Sequence, residues 1–554
     1  MRFALLGETY KPEVGDSPVT GYSVATDDLT KALLRWSRAE EIQCICRPGT
    51  LQEQKLKEAV RNLPGYRERE RVRFVNELDL LFYGADHMPE TGVLHSVKEE
   101  FQSLLTLREM LGRPVPVTFT LHGIAEQHLI TDMFLPMLTW PFKPYDAVFC
   151  PTNSVYRTVD TILDRLSEQL SITLGTKVQR KIQLKKVPLG IDTDRFRPMD
   201  KRAARSRLEI PQNAFVILWF GRFSDLFKAD LHPLLLVYRN LLRDNPDQDL
   251  LLILAGSEDY TRYTDLLKRD LHKMGIDERV RILFHKNIPN RAELYSAADV
   301  FTSPIDNLQE TFGLTPIEAM ACGIPQVVSD WDGYKDTVQD GITGFRIPVY
   351  WTDCLSDLAA ADCFPLDRNL RRMLYQYLSV RSTALDCRIY QKRLQRLIDD
   401  PVLRASMAAA SRNRAVRYYD LRNTVSRAEK VWSDLIKIAD DDQSTFGRMP
   451  MINYCHDFSA YPTKVLDDRT SFVLSETGWE SNPDDLPGHR SFHDSIDEAS
   501  LVRQIYDQVR SLPGGTSVTI EQITAQNSGW TQDQCGRGIM YLLKNGILEI
   551  EEEN

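Results

Sequence analysis

Apolar runs alternate with amphipathic segments along the first two thirds of the chain, a pattern that predicts a parallel α/β architecture. Residues 3–6 form a short apolar run, as expected for a strand covered on both faces. Residues 26–36 carry apolar side chains at helical spacing, which predicts a helix. Further strands are predicted at residues 115–121 and 147–150.

The same alternation returns after residue 200. Continuous apolar runs predict buried strands at residues 215–221, 250–256, 280–284 and 300–304. Helical patterns then follow one another with few breaks from residue 355 to residue 438. The chain therefore contains two successive α/β regions, the second closed by a helical segment.

The pattern changes after Asp442. Residues 443–497 are rich in Asp, Ser, Pro and aromatic residues with weak periodicity, which predicts a loop-rich linker or module. Residues 498–554 are predicted to be ordered again, in a winged-helix-like order of three helices and a strand. The predicted elements cover residues 501–512, 520–525, 531–544 and 547–551.

Composition narrows the class of protein. A chain of 554 residues that is 42% hydrophobic and 26% charged is expected to form two or three globular domains. No apolar stretch reaches the length of about 20 residues that spans a bilayer, and the first apolar run meets Glu8 at once, unlike a signal peptide. The nine cysteines show no paired motif, which predicts free thiols in a reducing cytosol and no metal site.

The net charge of the C-terminal residues differs from that of the rest of the chain. Residues 441–554 contain 19 acidic and eight basic residues, a formal charge of −11, whereas the whole chain carries −10. An acidic module of this kind does not favour binding to duplex nucleic acid, which depends on phosphate neutralisation. We expect it to bind a protein partner or to mediate self-association.

The run from Glu310 to Pro325 carries the strongest chemical signal. Glu310 and Glu318 stand eight positions apart, with the pair Phe312-Gly313 between them. A helix is predicted to begin near Thr315, and its free amides could bind a sugar or a phosphate oxygen. Read alone, the two acids could be ordinary loop and helix residues. The whole run resembles the donor-sugar site of family 4 glycosyltransferases, which are retaining nucleotide-sugar enzymes with the two-domain GT-B fold.

The resemblance implies an α/β chain with the GT-B fold, in which two Rossmann-like domains face a cleft and a small, mostly helical module follows at the C-terminus. Residues 186–198 resemble the strand and turn that join the two domains, and residues 366–393 form a longer stretch than this region usually has. The implied parts are an acceptor domain at 1–195, a donor domain at 196–414, a helix at about 415–438 that returns to the first domain, the linker or module at 443–497 and the module at 498–554.

The same resemblance assigns roles to residues. Glu310 would contact the donor sugar, Glu318 the nucleotide ribose, and Arg222 with Lys228 the diphosphate, for which a guanidinium fork and an ammonium are suited. His122 would face the donor sugar. The alternative for the two cations is that they are ordinary surface residues at a strand end, and the alternative for His122 is a purely structural role. The implied catalytic set is His122, Glu310, Arg222 and Lys228, and the implied donor-binding set is Gly221, Arg222, Lys228, Glu310, Thr311, Phe312, Gly313, Leu314 and Glu318.

Three segments depart from the family pattern. The usual Lys-Gly pair is Lys228-Ala229 here, in a loop one residue longer than the commonest form. Residues 15–21 lack the usual glycine pair, so Gly21 is a tentative site residue, as are Glu8 and Lys11 by position alone. Asp332 and Asp336 stand where most relatives have a glycine pair and a glutamate, and they are tentative determinants of donor choice.

The leading hypothesis is a retaining, metal-independent and cofactor-free transfer of a sugar from a nucleotide-diphosphate donor to an unidentified glycan, lipid or small molecule. The chain would act in the cytoplasm, with no nucleic acid as partner. Two alternatives remain: a catalytically weak scaffold that acts through the C-terminal module, and another GT-B enzyme such as a phosphorylase or an epimerase.

A basic cluster favours either a solvated loop or peripheral contact with the inner membrane face. It comprises Lys177, Arg180, Lys181, Lys185 and Lys186.

Overall fold

A computed structural model describes most of the chain. The described residues are 1–7, 21–84, 87–258, 262–288, 290–356, 358, 367–444, 447–481, 498–527 and 529–551. They divide into two compact units, the first formed by residues 1–75 and 89–449, the second by residues 76–88 and 450–554.

The first part of the large unit is a seven-stranded sheet, here called the N-terminal lobe together with its helices. Its strand order is β3-β2-β1-β4-β5-β6-β7, and β1 pairs in parallel with both β2 and β4. Phe3, Ala4 and Leu5 of the first strand are fully buried, because helices cover both faces of the sheet. The strands are β1 Arg2–Leu6, β2 Glu41–Cys46, β3 Val72–Asn76, β4 Leu94–Ser96, β5 Val117–Thr120, β6 Ala147–Cys150 and β7 Gln183–Lys186. The helices of this lobe are α1 Gly21–Trp36, α2 Leu51–Arg61, α3 Tyr66–Glu70, α5 Gln102–Leu111, a π-helical turn Ile130–Phe134, α6 Leu135–Thr139 and α7 Asn153–Leu174. A further helix, α4 Glu77–Tyr83, comes between β3 and β4 in the chain and belongs to the second unit.

The second part is a six-stranded sheet, the C-terminal lobe, with strand order β10-β9-β8-β11-β12-β13. Its central strands are the apolar runs predicted from the sequence, and Trp219 in the first of them is fully buried. The strands are β8 Phe215–Phe223, β9 Leu250–Glu258, β10 Val280–Phe284, β11 Val300–Ser303, β12 Gln326–Ser329 and β13 Gly344–Ile347. The helices are α8 Lys201–Arg207, α9 His232–Asp244, α10 Tyr263–Met274, α11 Arg291–Ala297, α12 Leu314–Ala321 and α13 Tyr334–Thr337, with 3₁₀ turns Asp277–Arg279 and His285–Asn287.

One strand of a small antiparallel sheet interrupts the region that the sequence pattern predicts as helical from residue 355 onward. Strands β14 (Val349–Trp351) and β15 (Thr383–Leu385) pair antiparallel, and α14 (Arg368–Arg381) lies between them in the chain. The prediction of nearly continuous helix is wrong at β15, because a three-residue strand takes its stability from a distant partner and leaves no periodic signal. The helices that follow are α15 Cys387–Asp399, α16 Pro401–Tyr418 and α17 Leu421–Asp440.

The chain passes between the two lobes at two adjacent points. Ile191 donates its backbone N–H to Tyr419 and accepts from the N–H of Leu421, at 2.9 and 3.0 Å. A side chain on Gly190 would meet the Tyr419 carbonyl oxygen at 2.8 Å, so only glycine allows this close approach. Beyond the crossing, α17 packs against α1, and its buried Trp432 donates to Thr118 at 3.0 Å.

The second unit has its own hydrophobic core, which includes Phe472, Ile505 and Ile539. Its three-stranded sheet has the order β17-β16-β18, and β16 lies within the segment predicted as a loop-rich linker or module. The ordered module therefore begins before residue 498, because the apolar pair Phe472 and Leu474 faces this core. The winged-helix-like assignment stays a prediction. The elements are α18 Tyr454–Asp457, β16 Ser471–Leu474, α19 Glu476–Glu480, α20 Glu498–Arg510, β17 Val518–Thr519, α21 Ile520–Gln526, α22 Gln532–Lys544 and β18 Leu548–Ile550.

Across the described ranges, we find no helix with both the length and the apolar character needed to cross a bilayer.

Candidate functional site

A cavity of about 540 Å³ opens between the carboxyl ends of the two sheets of the large unit. His122, which follows β5, lines it from the N-terminal lobe, and Gly221, Arg222 and Gly256 line it from the ends of β8 and β9. Open α/β sheets bind ligands in crevices at the carboxyl ends of their strands. This cavity is therefore the candidate site.

The turn Glu310–Leu314 forms one wall of the cavity. Gly313 adopts φ +91° and precedes α12, whose first amides have no partner within the helix and whose first two residues, Leu314 and Thr315, line the cavity. Thr311 anchors the turn to the N-terminal lobe, since its hydroxyl donates to the carbonyl of His122 and its own carbonyl accepts from Thr152 at 3.2 Å. The wall is therefore held in place by both lobes.

Lys228 reaches the cavity despite its longer loop. Its Nζ lies 2.5 Å from Oε2 of Glu310, and both side chains are largely buried. Arg222 lies nearby, donating to the carbonyl of Phe227 at 3.1 Å with its guanidinium 5.9 Å from the centre of that ring. The structure thus brings together the two cations predicted to bind a diphosphate, and the carboxylate of Glu310 offsets the charge of Lys228.

Glu318 is 1% exposed and makes two charge-assisted contacts. Its Oε1 lies 2.8 Å from Arg291, and its Oε2 accepts from the hydroxyl of Tyr295 at 2.8 Å. Burial, together with the charge of Glu318, raises the pKa of Tyr295 well above its ordinary value, so this hydroxyl remains a donor. A carboxylate has about four acceptor positions, so Glu318 can still accept from a ligand hydroxyl.

His122 is oriented by two contacts. Its Nε2 lies 2.7 Å from the carbonyl oxygen of Val97, which can only accept, so this nitrogen carries the proton. Its backbone N–H donates to Glu99 at 2.6 Å, and its ring meets Tyr22 edge-on at 5.0 Å. In the neutral imidazole, Nδ1 is consequently the acceptor nitrogen.

The tentative residues differ in position. Gly21, the first residue of α1, lines the cavity with open space around it. Residues 8–20, which include Glu8, Lys11 and most of the predicted glycine loop, lie outside the described residues.

Asp332 and Asp336 do not line the cavity. Both oxygens of Asp336 bind Asn153, one at the backbone N–H (2.6 Å) and one at the side-chain amide (3.0 Å), and so cap α7 of the opposite lobe. The carbonyl of Asp332 accepts from Ser154 at 3.1 Å. These two residues join the lobes, and their role in donor choice stays a prediction.

Two further cations of the cavity wall were not identified from the sequence. Arg291 stands at the start of α11, with its guanidinium 5.1 Å from the centre of the Phe196 ring. Arg372, on α14, lies 2.9 Å from Glu126 of the N-terminal lobe. Nothing in the local sequence distinguishes either arginine from its many neighbours, because only the folded chain shows the carboxylate that each one meets.

Asp306 precedes Asn307 of the cavity wall and allows a test that is independent of any ligand. Burial, with a further contribution from the charge of Asp230, raises the pKa of Asp306 to about 8. Between about pH 4 and pH 8 the folded chain keeps a proton that the unfolded chain has released, so the free energy of unfolding falls as the pH rises through this window. We expect Asp306→Asn to remove this loss and to stabilise the chain by at least about 1.4 kcal/mol at pH 8.5, the equivalent of one pKa unit.

The measurement is thermal unfolding from pH 4.5 to pH 8.5. The melting temperature of Asp306→Asn should exceed that of the unmodified chain at pH 8.5 and approach it at pH 4.5. Asp434→Asn, at an exposed position on α17, serves as the control and should not change the pH dependence. Equal curves for Asp306→Asn and the unmodified chain would contradict the assignment.

Residues 200–362 match the model of the family described as glycosyl transferases group 1. A D-inositol 3-phosphate glycosyltransferase of Geodermatophilus obscurus is 38% identical over 165 residues, which are 29% of this chain and 36% of that protein. A protein of the same name from Actinosynnema mirum is 33% identical over 264 residues, 46% of this chain and 60% of that protein. The chain thus spans between about a third and three fifths of the length of these relatives.

Among solved structures, HepE of Anabaena in complex with UDP is similar, with a TM-score of 0.50 and 16% identity over 78% of this chain and 100% of that one. At this identity the likeness concerns the fold alone. The predicted fold class, two Rossmann-like α/β domains of the GT-B type with a small helical C-terminal region, is confirmed.

Proposed function

We propose that the chain is a glycosyltransferase that moves a sugar from a nucleotide-diphosphate donor to an acceptor, with retention of anomeric configuration and without a metal ion. One observation carries the proposal: Arg222, Lys228, Glu310 and Glu318 meet at one cavity, and all four lie within the segment that matches the glycosyl transferases group 1 family.

In this proposal Arg222 and Lys228 bind the diphosphate. Charge develops on the departing diphosphate in the transition state, and fixed cations near it lower the barrier. Lys228 forms an ion pair with Glu310, which holds its ammonium at the cavity wall. These two cations could supply the positive charge that a metal ion supplies elsewhere.

Glu318 would accept from the hydroxyls of the ribose, in the orientation fixed by Arg291 and Tyr295. Glu310 and the first amides of α12 would bind the sugar. His122 would accept a sugar hydroxyl at Nδ1, since its Nε2 is committed to Val97. Each group then has a suitable hydrogen-bond partner on the donor. The carboxylates and the imidazole nitrogen accept from hydroxyls, and the amides donate to sugar oxygens.

Retention and the acceptor are the parts of the proposal that rest on resemblance. Retention follows from the likeness of the run 310–325 to the family 4 donor site. The acceptor would enter from the N-terminal lobe. D-inositol 3-phosphate, named for the relatives, is the first acceptor to test.

The testing experiment measures nucleotide release from UDP-, GDP- and ADP-sugars with EDTA present. We expect slow release from one donor and faster release once an acceptor is added. Lys228→Gln should lower release at least about tenfold, because a charge-assisted bond to phosphate is lost. Lys273→Gln, exposed on α10, serves as the matched control and should leave release unchanged.

The outcomes separate the alternatives. Absence of both release and nucleotide binding would favour the scaffold hypothesis, and phosphate-dependent or acceptor-free conversion of the sugar would indicate a phosphorylase or an epimerase. Restoration of activity by a divalent cation after EDTA treatment would contradict metal independence. The anomeric proton of the product, measured by NMR, tests retention.

A further inference from the structure

The loop between β11 and Glu310 presents two buried amide groups to the cavity. Asn307 is 1% exposed, and its Oδ1 accepts from the backbone N–H of Gln309 at 3.0 Å. This bond fixes the amide orientation, so Nδ2 cannot exchange places with the oxygen. Nδ2 itself has no hydrogen-bond partner within the described part of the chain.

Gln309 repeats the feature. Gln309 belongs to the lining of the same cavity, and its Nε2 is buried and meets no acceptor among the residues that the structure describes. Buried polar groups in native proteins are almost always paired, and each exception calls for an explanation. Two neighbouring amides without acceptors, both at the cavity wall, indicate that a ligand supplies the acceptors.

The loop is held in place rather than adaptable. The carbonyl of Asn307 accepts from Nε1 of Trp331 at 2.8 Å, and the Trp331 ring stacks on Trp351 of β14 at 5.5 Å. On the other side, the hydroxyl of Thr383 in β15 donates to the carbonyl of Asp306 at 3.0 Å. The antiparallel pair β14–β15 therefore supports the loop through both of its strands, so the two amides are preorganised.

The neighbouring Glu310 identifies the kind of ligand group. A carboxylate can only accept, whereas Asn307 Nδ2 and Gln309 Nε2 can only donate. A hydroxyl satisfies both at once, because it donates one hydrogen and accepts another. A carboxylate or phosphate on the ligand would satisfy the amides but would be repelled by Glu310.

We propose that Asn307 and Gln309 are specificity residues that donate to ring hydroxyls of the transferred sugar, while Glu310 accepts from them. This inference rests on the proposed function and deepens it. The donor sugar is then a neutral hexose with a free hydroxyl at the position facing these amides, and a deoxy sugar at that position is rejected.

The test is equilibrium binding to the full chain. The probes are UDP, GDP and ADP, their glucose conjugates, and the 2-, 3-, 4- and 6-deoxyglucose analogues of the conjugate that binds. The quantity of interest is the sugar contribution, the ratio of the Kd of the free nucleotide to that of its conjugate. We expect the unmodified chain to discriminate at least tenfold against one deoxy analogue.

Gln309→Met and Asn307→Leu remove the amides at nearly constant volume. Each is expected to reduce the sugar contribution about five- to tenfold, to abolish discrimination against that one deoxy analogue and to leave the Kd of the free nucleotide within twofold. Gln309→Met should also keep or raise the melting temperature, because it removes an unpaired buried donor. A residue with only a structural role would show the opposite combination. The matched control is Asn369→Leu, exposed on α14.

Three results would overturn the inference. If Gln309→Met retains the full sugar contribution and the same preference among deoxy analogues, the amides do not bind the sugar. This conclusion would hold for any sugar contribution measured with Asn307→Leu. If Gln309→Met lowers the melting temperature and nucleotide binding together, its role is structural. If the unmodified chain binds no nucleotide, the proposed function fails and this inference fails with it.

Discussion

Glu318→Gln is expected to lower the affinity for a nucleotide-sugar donor at least a hundredfold and to destabilise the fold by about 3 kcal/mol. The carboxylate is nearly inaccessible and balances Arg291, whose side chain is 15% exposed. Removing one partner of a buried ion pair leaves the other charge uncompensated, which costs about 3–5 kcal/mol. A glutamine also offers one acceptor oxygen where the ligand hydroxyl, Arg291 and Tyr295 need two.

The measurement combines isothermal titration with UDP-, GDP- and ADP-sugars and chemical unfolding. Glu293→Gln is the matched control, because this acid on the neighbouring helix α11 also pairs with an arginine, Arg207, at 3.0 Å, but does not line the cavity. It should bind the donor like the unmodified chain. Unchanged donor affinity in Glu318→Gln would remove Glu318 from the site.

Gly313→Ala is expected to reduce kcat/KM at least a hundredfold and to destabilise the chain by about 2–5 kcal/mol. A Cβ atom at this position would lie 2.3 Å from Cε1 of Tyr334, a fully buried ring whose hydroxyl is bonded to Ser303 at 2.9 Å. The ring has no space to move, and overpacking of this kind costs about 1–3 kcal/mol before backbone strain at φ +91° is added. The turn must therefore shift, which displaces the first amides of α12.

Gly341→Ala separates strain from overpacking. Gly341 also has a left-handed backbone, φ +75°, but no atom lies within 4 Å of its ideal Cβ. Its replacement should cost only about 1–2 kcal/mol and should leave kcat/KM within threefold. Comparable activity losses in the two variants, followed by steady-state kinetics and thermal unfolding, would show that contact with Tyr334 is not the cause.

Local patterns predicted much of the fold because the central strands are continuous apolar runs. The strand at 147–150 agrees residue for residue with β6, and the strand at 280–284 with β10. The run that begins at Glu310 lines the cavity as the resemblance implied, because its motif lies within one turn and one helix. The roles of its residues in binding remain predictions.

What the sequence could not show depends on distant contacts. β15 has three residues and is a strand only because β14 pairs with it. Arg291 and Arg372 acquire significance from Glu318 and Glu126, which lie far from them in the chain. The contact between Asp336 and the start of a helix in the other lobe likewise joins distant parts of the chain and has no signal in the local sequence.

The pairing of opposite charges along the cavity wall has a kinetic consequence. Four carboxylates and four cations belong to its described lining, and three of the cations, Lys228, Arg291 and Arg372, each lie beside a glutamate. Such a cavity presents little net field to an approaching anion, so electrostatic steering should contribute little to the association rate constant. That rate constant should therefore vary weakly with ionic strength, and discrimination among anionic ligands should reside mainly in their residence times.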